Sequence, residues 1–168
     1  MSLSLFSMSV PVFVKTLGNL SAILDKAAAH AEAKKIDPAV LLNARLFPDM
    51  FPLLKQVQLA SDFAKGASAR LVGQDPPKYE DTEKTVGELK ARIARTIEFV
   101  QSLDAGRFDG AETREITLKI RDSEQKFSGL VYLCHVALPN FFFHATTAYD
   151  ILRHNGVELG KRDFIGNA

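Results

Sequence analysis

The side chains best suited to hold a metal or move a proton are four histidines, His30, His135, His144 and His154, and one cysteine, Cys134. A zinc-, nickel- or iron-type centre in a helical protein needs nitrogen or oxygen donors converging from two or more helices. At about 100° per residue, His135 and His144 point to opposite faces of one straight helix, and His144 and His154 diverge by about 80°. No H-x-x-x-H or H-E-x-x-H pair is present. A single cysteine excludes an intramolecular disulfide and a cysteine-based zinc site. Its neighbours Leu133 and Val136 mark Cys134 as a small buried thiol. His30 reads as a surface residue, His135 as half-buried, and His154 as a last-turn cation favoured by the helix dipole.

His144 is the histidine with chemistry within reach. Asn140 precedes it by one helical turn on the same face. Together they would present an imidazole and an amide to the interior, where Gln56 or Asp49 of an earlier helix joins them. Tyr149, further along the helix, completes the candidate ligand-binding set. The same spacing also suits a core histidine satisfied by its neighbours, and Gln56 a polar core residue paired to backbone or water. Arg45 and Asp49 are placed to form an ion pair at the start of that earlier helix. Phosphate-cradling glycine loops, a nucleophile elbow and paired carboxylates of clear spacing are all missing from the sequence.

These residues need a scaffold, and the composition supports one. Hydrophobic residues make up 46% and charged residues 24%, which excludes a disordered chain. A net charge of +1 supplies no field for nucleic acid or an anionic membrane. Met1–Val14 is apolar, but it has no basic residue before Lys15 and is interrupted by Pro11. No stretch reaches the roughly 18 uninterrupted apolar residues of a membrane span. A cytoplasmic protein forming one domain over residues 1–168 is expected.

A first helix is predicted from near Ser9 to about Lys35, with Pro11 in its first turn and Phe13, Leu17, Leu20, Leu24 and Ala27 as its stripe. Asp37-Pro38 opens a short helical turn through Leu42. A second long helix starts around Phe47–Asp49, with Leu53, Val57, Ala60, Ala64 and Leu71 buried. Residues 73–81 form an irregular connection around Pro76-Pro77. A third helix runs from about Thr82 to Leu103 on Val86, Leu89, Ile93, Ile97 and Val100, with a poor cap at Thr82–Thr85. Ile116, Leu118 and Ile120 alternate with polar residues and lead through Asp122-Ser123-Glu124 to Phe127, a small β-hairpin. The last helix, Leu130 to about His154, is aromatic, and Pro139 should bend it or cost it a backbone hydrogen bond. The tail from Val157 lies across the surface. The pattern is all-α, an antiparallel four-helix bundle with a hairpin before its last helix. Phe141, Phe142 and Phe143 give that helix apolar side chains beyond one core, which suits a homodimer or an aromatic pocket.

Three strings resemble a known group: Ala44-Arg45-Leu46-Phe47-Pro48-Asp49-Met50-Phe51-Pro52-Leu53, then Gln56-Val57-Gln58, then Leu138-Pro139-Asn140-Phe141-Phe142-Phe143-His144-Ala145-Thr146-Thr147-Ala148-Tyr149. The run Leu152 to Phe164 extends the likeness. They look like the bacterial and fungal family of unknown function numbered 1993, which is similar to the DinB/YfiT-like metalloenzyme superfamily. The resemblance implies an up-down-down-up bundle, often dimeric, and a metal held by one histidine of helix two and an H-x-x-x-H pair of the last helix. Active members of the superfamily include metal-dependent thiol transferases and a thiol-dependent isomerase. His144 matches the second histidine of the pair, Asn140 stands at the first, and Gln56 falls near the helix-two histidine. Two of three strong ligands are thus neutral amides, which bind divalent transition metals weakly. The expectation is a small ligand or partner at this site without a tight metal. The alternatives are an enzyme with zinc or nickel on His144, and a purely structural or regulatory dimer.

Overall fold

A computed structural model describes residues 4–120 and 122–166. Helix α1 spans Leu5–Lys34, α2 Pro38–Asn43, α3 Leu53–Leu71 and α4 Val86–Gln101. Strands β1 (Glu115–Ile120) and β2 (Ser123–Ser128) follow, then α5 (Gly129–Tyr132), α6 (Leu138–His154) and α7 (Lys161–Ile165). The four long helices α1, α3, α4 and α6 share one core: α1 packs on α4 and α6, and α3 packs on α4 and α6. Phe13 and Phe141 meet edge to face across α1 and α6 with centroids 4.8 Å apart, the favoured geometry for two buried rings. Helix α1 is long and apolar enough to cross a membrane. Here its apolar stripe, Phe13, Leu17, Leu20 and Leu24, is buried in the core.

Several boundaries differ from the sequence reading, each for a local reason. Ser4 caps α1 by accepting from the Ser7 amide, so the helix begins four residues before Ser9. Pro11 therefore sits in the second turn, where it cannot donate to the Ser7 carbonyl; Ser7 is exposed, and water can take that bond. Helix α3 begins at Leu53 rather than at 47–49. Phe47-Pro48 and Phe51-Pro52 account for the delay, because a residue before proline is pushed out of the helical region. Helix α4 begins at Val86, and its cap is a full box: Thr85 Oγ1 accepts from the Glu88 amide while Glu88 accepts from the Thr85 amide. The hairpin pairs Ile116 with Phe127, and Ile116 turns into the core.

Pro139 acts on the last helix as a widened turn. Residues Leu133–Ala137 are π-helical, joining α5 to α6 without a break, and Leu138 N–H donates to the Leu133 carbonyl. A proline cannot donate to the carbonyl four residues back and its ring clashes with it, so one extra residue in the turn relieves both problems. In the tail, α7 packs on α1 through the Asn19 amide to the Phe164 carbonyl (2.9 Å) and Lys26 to Asp163 (2.6 Å).

Candidate functional site

His144 lies on the buried face of α6 beside Phe141, Ala145 and Ala148, and is 8% exposed. Gln56, 1% exposed, occupies the first turns of α3, on the helix face that packs on α6. His144 Nδ1 stands 2.8 Å from Gln56 Oε1, and Gln56 Nε2 donates to the Phe51 carbonyl at 3.0 Å. The second bond fixes which end of the amide is which. Oε1 can only accept, so His144 Nδ1 must carry the proton. Nε2 of the neutral ring is then left with its lone pair. Among the described residues it has no hydrogen-bond partner, and it is not sealed from solvent. Phe63 stacks on the imidazole at 5.5 Å and Phe143 meets it edge-on at 5.3 Å. Burial among these rings pushes the His144 pKa below its ordinary value, because the charged form loses hydration.

The other sequence candidates lie elsewhere or turn away. Asn140 is half-buried, and its side-chain amide donates to the Val136 carbonyl at 2.7 Å, holding the end of the π turn. Asp49 is exposed in the α2–α3 connection. Arg45 donates to the Met50 carbonyl at 2.5 Å, and no ion pair with Asp49 is found among the described residues. Tyr149 packs against Phe164 of α7 with ring centroids 5.9 Å apart. His135 is exposed rather than half-buried, so it does not converge with His144; His154 is exposed, His30 half-buried and Cys134 half-buried. Phe63 was missed at the sequence level, although it follows Gln56 by two helical turns and so shares its face.

Residues 5–165 match a family described as a domain of unknown function, DUF1993. The chain belongs to the DUF1993 family. This DUF1993 protein is also similar to a solved structure, a DinB family member protein from Shewanella denitrificans determined at 1.83 Å resolution. The two are 46% identical, with a TM-score of 0.93, over 98% of this chain and 93% of that one. Comparison with curated proteins returned no match.

The DUF1993 chain carries a second polar centre that no sequence motif announced. Arg92 of α4 is 4% exposed, and its guanidinium meets Asp62 of α3 (2.8 Å) together with Asp81 (3.1 Å) and Glu83 (3.0 Å) of the α3–α4 connection. Lys65 also pairs with Asp62, Lys55 with Asp81, and Gln58 Nε2 donates to Glu83 at 2.8 Å. Burial raises the carboxyl pKa of both Asp81 and Glu83, but their hydrogen bonds and the Arg92 charge, with Lys55 at Asp81, outweigh it and hold both below the usual value. The signal available in the sequence was an arginine three residues after Leu89, on the shoulder of the apolar stripe of α4.

Proposed function

We propose that this protein is an up-down-down-up DinB-type bundle, one cytoplasmic domain, that binds a small ligand at His144 without a tight metal. The observation that carries the reading is the fixed tautomer: the Phe51 carbonyl orients Gln56, Gln56 orients His144, and Nε2 is presented as an acceptor. A neutral imidazole held in one tautomer can accept a ligand N–H or O–H, or take its proton. The donor set fits a divalent metal poorly. Gln56 spends its oxygen, the amide atom a metal would need, on His144, and Asn140 offers only a neutral amide oxygen, which binds such ions weakly. Among the described residues no group of three His, Cys, Asp or Glu is placed to hold an ion. Enzymatic chemistry of the thiol- or group-transferase type with zinc or nickel on His144 is the alternative that elemental analysis decides. Stoichiometric metal in unstripped protein, lost in His144→Ala, would replace the ligand reading with that one.

The tautomer gives the direct test. Long-range proton–nitrogen NMR of His144 is expected to show a protonated Nδ1 and a bare Nε2 at neutral pH. Gln56→Glu should raise the His144 pKa, since a carboxylate favours the imidazolium. The reverse tautomer, or a pKa indifferent to Gln56→Glu, would remove the basis of the site. The lowered pKa also predicts a stability slope. Below the ordinary value of 6.5 the unfolded chain takes up a proton that folded His144 refuses. Stability is therefore full above pH 6.5 and falls as the pH drops from there through the lowered folded pKa. Chemical denaturation between pH 7.5 and 5 should show this slope, and His144→Gln should flatten it. The carboxylates Asp81 and Glu83 act in a separate, more acidic window, because their folded pKa values lie below 3.8 and 4.5.

A homodimer through the last helix is favoured by a different observation. Phe143 is 55% exposed and Phe142 37%, with Leu130 and Val131 also exposed on α5. Large apolar side chains in solvent on one continuous helical run suit a second copy of the chain. Light scattering is expected to give twice the chain mass, and Phe143→Glu to halve it. A monomer at high micromolar concentration would rule the dimer out.

A further inference from the structure

The seam between α3 and α4 is polar where a bundle seam is ordinarily apolar. Gln58, Ser61, Lys65 and Arg92 are each buried there, at 7% exposure or less. Two of their polar atoms, Ser61 Oγ and Arg92 Nε, are buried without a hydrogen-bond partner. Such atoms are costly and call for an explanation beyond packing. The helices bring four cations to this face, Lys55, Lys65, Arg92 and Arg95, against one carboxylate paired with them, Asp62. The missing negative charge comes from residues 73–85, which run over the seam as a strap. Asp81 pairs with Lys55 and Arg92, and Glu83 with Arg92. Tyr79 lies under three of the cations, with the Arg95 guanidinium carbon 3.4 Å from its ring centre, Lys65 Nζ at 4.8 Å and Arg92 at 5.5 Å.

What holds the strap is as telling as what it covers. No residue from 73 to 85 is buried. Between Asp75 and Glu83, the hydrogen bonds to the helices run through side chains: Arg92 to the Glu80 carbonyl, Tyr79 to the Arg95 carbonyl, and the carboxylate pairs. The strap is thus fastened by charge and cation–π contacts, with little apolar burial to keep it down. An open cleft of about 590 Å³ lies alongside, where the cations Lys78, Arg92 and Arg95 face the carboxylates Glu80 and Glu83 of the strap and Glu88 of α4.

We propose that the α3–α4 seam is an anion-binding groove, and that the strap is its internal competitor, with Asp81 and Glu83 in the seats of a small multivalent anion of the phosphate class. Arg92 and Arg95 are the principal cations for that anion, and Lys55 and Lys65 flank them. An intramolecular competitor lowers apparent affinity by the fraction of time the groove is open. Removing its charges should therefore uncover the site.

The test is calorimetric titration of the full chain with inorganic pyrophosphate, beside NMR of the Tyr79 ring in the strap. Asp81→Asn/Glu83→Gln is expected to bind at least about tenfold tighter than the wild type. Pyrophosphate added to the wild type should move the Tyr79 ring resonances, which lie against the Arg95, Lys65 and Arg92 cations, toward their free values. In the double-variant background, Arg95→Gln, on an exposed side chain, and Arg92→Met should each weaken binding by about tenfold or more. Equal affinities for wild type and double variant would overturn the proposal. So would tight binding that survives Arg95→Gln, or Tyr79 ring resonances indifferent to the anion.

Discussion

Gly129→Ala is expected to destabilise the protein by about 3 kcal/mol or more, at the upper end of overpacking costs. Gly129 opens α5, is buried, and has an ordinary backbone conformation, so φ strain plays no part. What requires glycine is proximity. A Cβ there would lie well under 3.0 Å from the carbonyl oxygen of Ala111, at 3.0 Å from its carbonyl carbon and at 3.3 Å from Leu71 Cδ2. Leucine could rotate away, but a backbone carbonyl cannot. Ala111 is fully buried, and its amide is tied to the Phe108 carbonyl, while Leu130 N–H bonds to the Glu112 carbonyl across the same crossing. The clash is therefore relieved only by moving the hairpin away from the bundle. Helix propensity alone favours alanine over glycine by about 1 kcal/mol, so the two effects differ in sign. Gly18→Ala is the control: Gly18 is exposed inside α1, a methyl group there would have nothing within 4 Å, and propensity should make that substitution stabilising. For a chain of this size, about 3 kcal/mol corresponds to a fall in Tm of roughly 6–12 °C. A Gly129→Ala protein that melts with or above the wild type would show that the Ala111 approach is not a constraint.

The pattern of apolar residues carried most of this architecture. Phe13, Leu17, Leu20 and Leu24 recur at helical steps and are buried where that recurrence places them. Gln56 and His144 could be paired from sequence because each interrupts an apolar stripe, Leu53-Gln56-Val57-Ala60 on one helix and Phe141-His144-Ala145-Ala148 on the other. A polar residue on a buried stripe must find a partner, and the packing of α3 on α6 supplies it. Asn140 satisfies the same spacing rule yet faces a backbone carbonyl of its own helix. Periodicity places a side chain on a face, but a carbonyl one turn back on the same helix decides where this amide points. The Arg92 centre escaped for another reason. Its partners Asp81 and Glu83 lie in an aperiodic segment around two prolines, where spacing carries no information about which helix they touch. Charge in such a segment reads as solvated until a buried cation beneath it is known.

That buried cation yields the second large effect. Arg92→Met keeps most of the aliphatic stem and is expected to cost about 3 kcal/mol, the lower end for breaking a buried pair from one side. The loss does not fall evenly on its three carboxylates. Asp62 retains Lys65 and Asp81 retains Lys55, and both side chains are about one-third exposed, so solvent and lysine take over much of the work. Glu83 is different: its side chain is 12% exposed, and Gln58 is the side-chain donor left to it. Most of the cost should therefore be the stranded charge of Glu83, and neutralising it should return part of the stability. Arg92→Met/Glu83→Gln is expected to recover about 1 kcal/mol relative to the sum of the single variants. The same combination made with Asp81→Asn should show a smaller coupling. A denaturant-melt cycle separates these outcomes. Coupling that is absent at Glu83 and present at Asp81 would assign the buried end of the network to the wrong carboxylate.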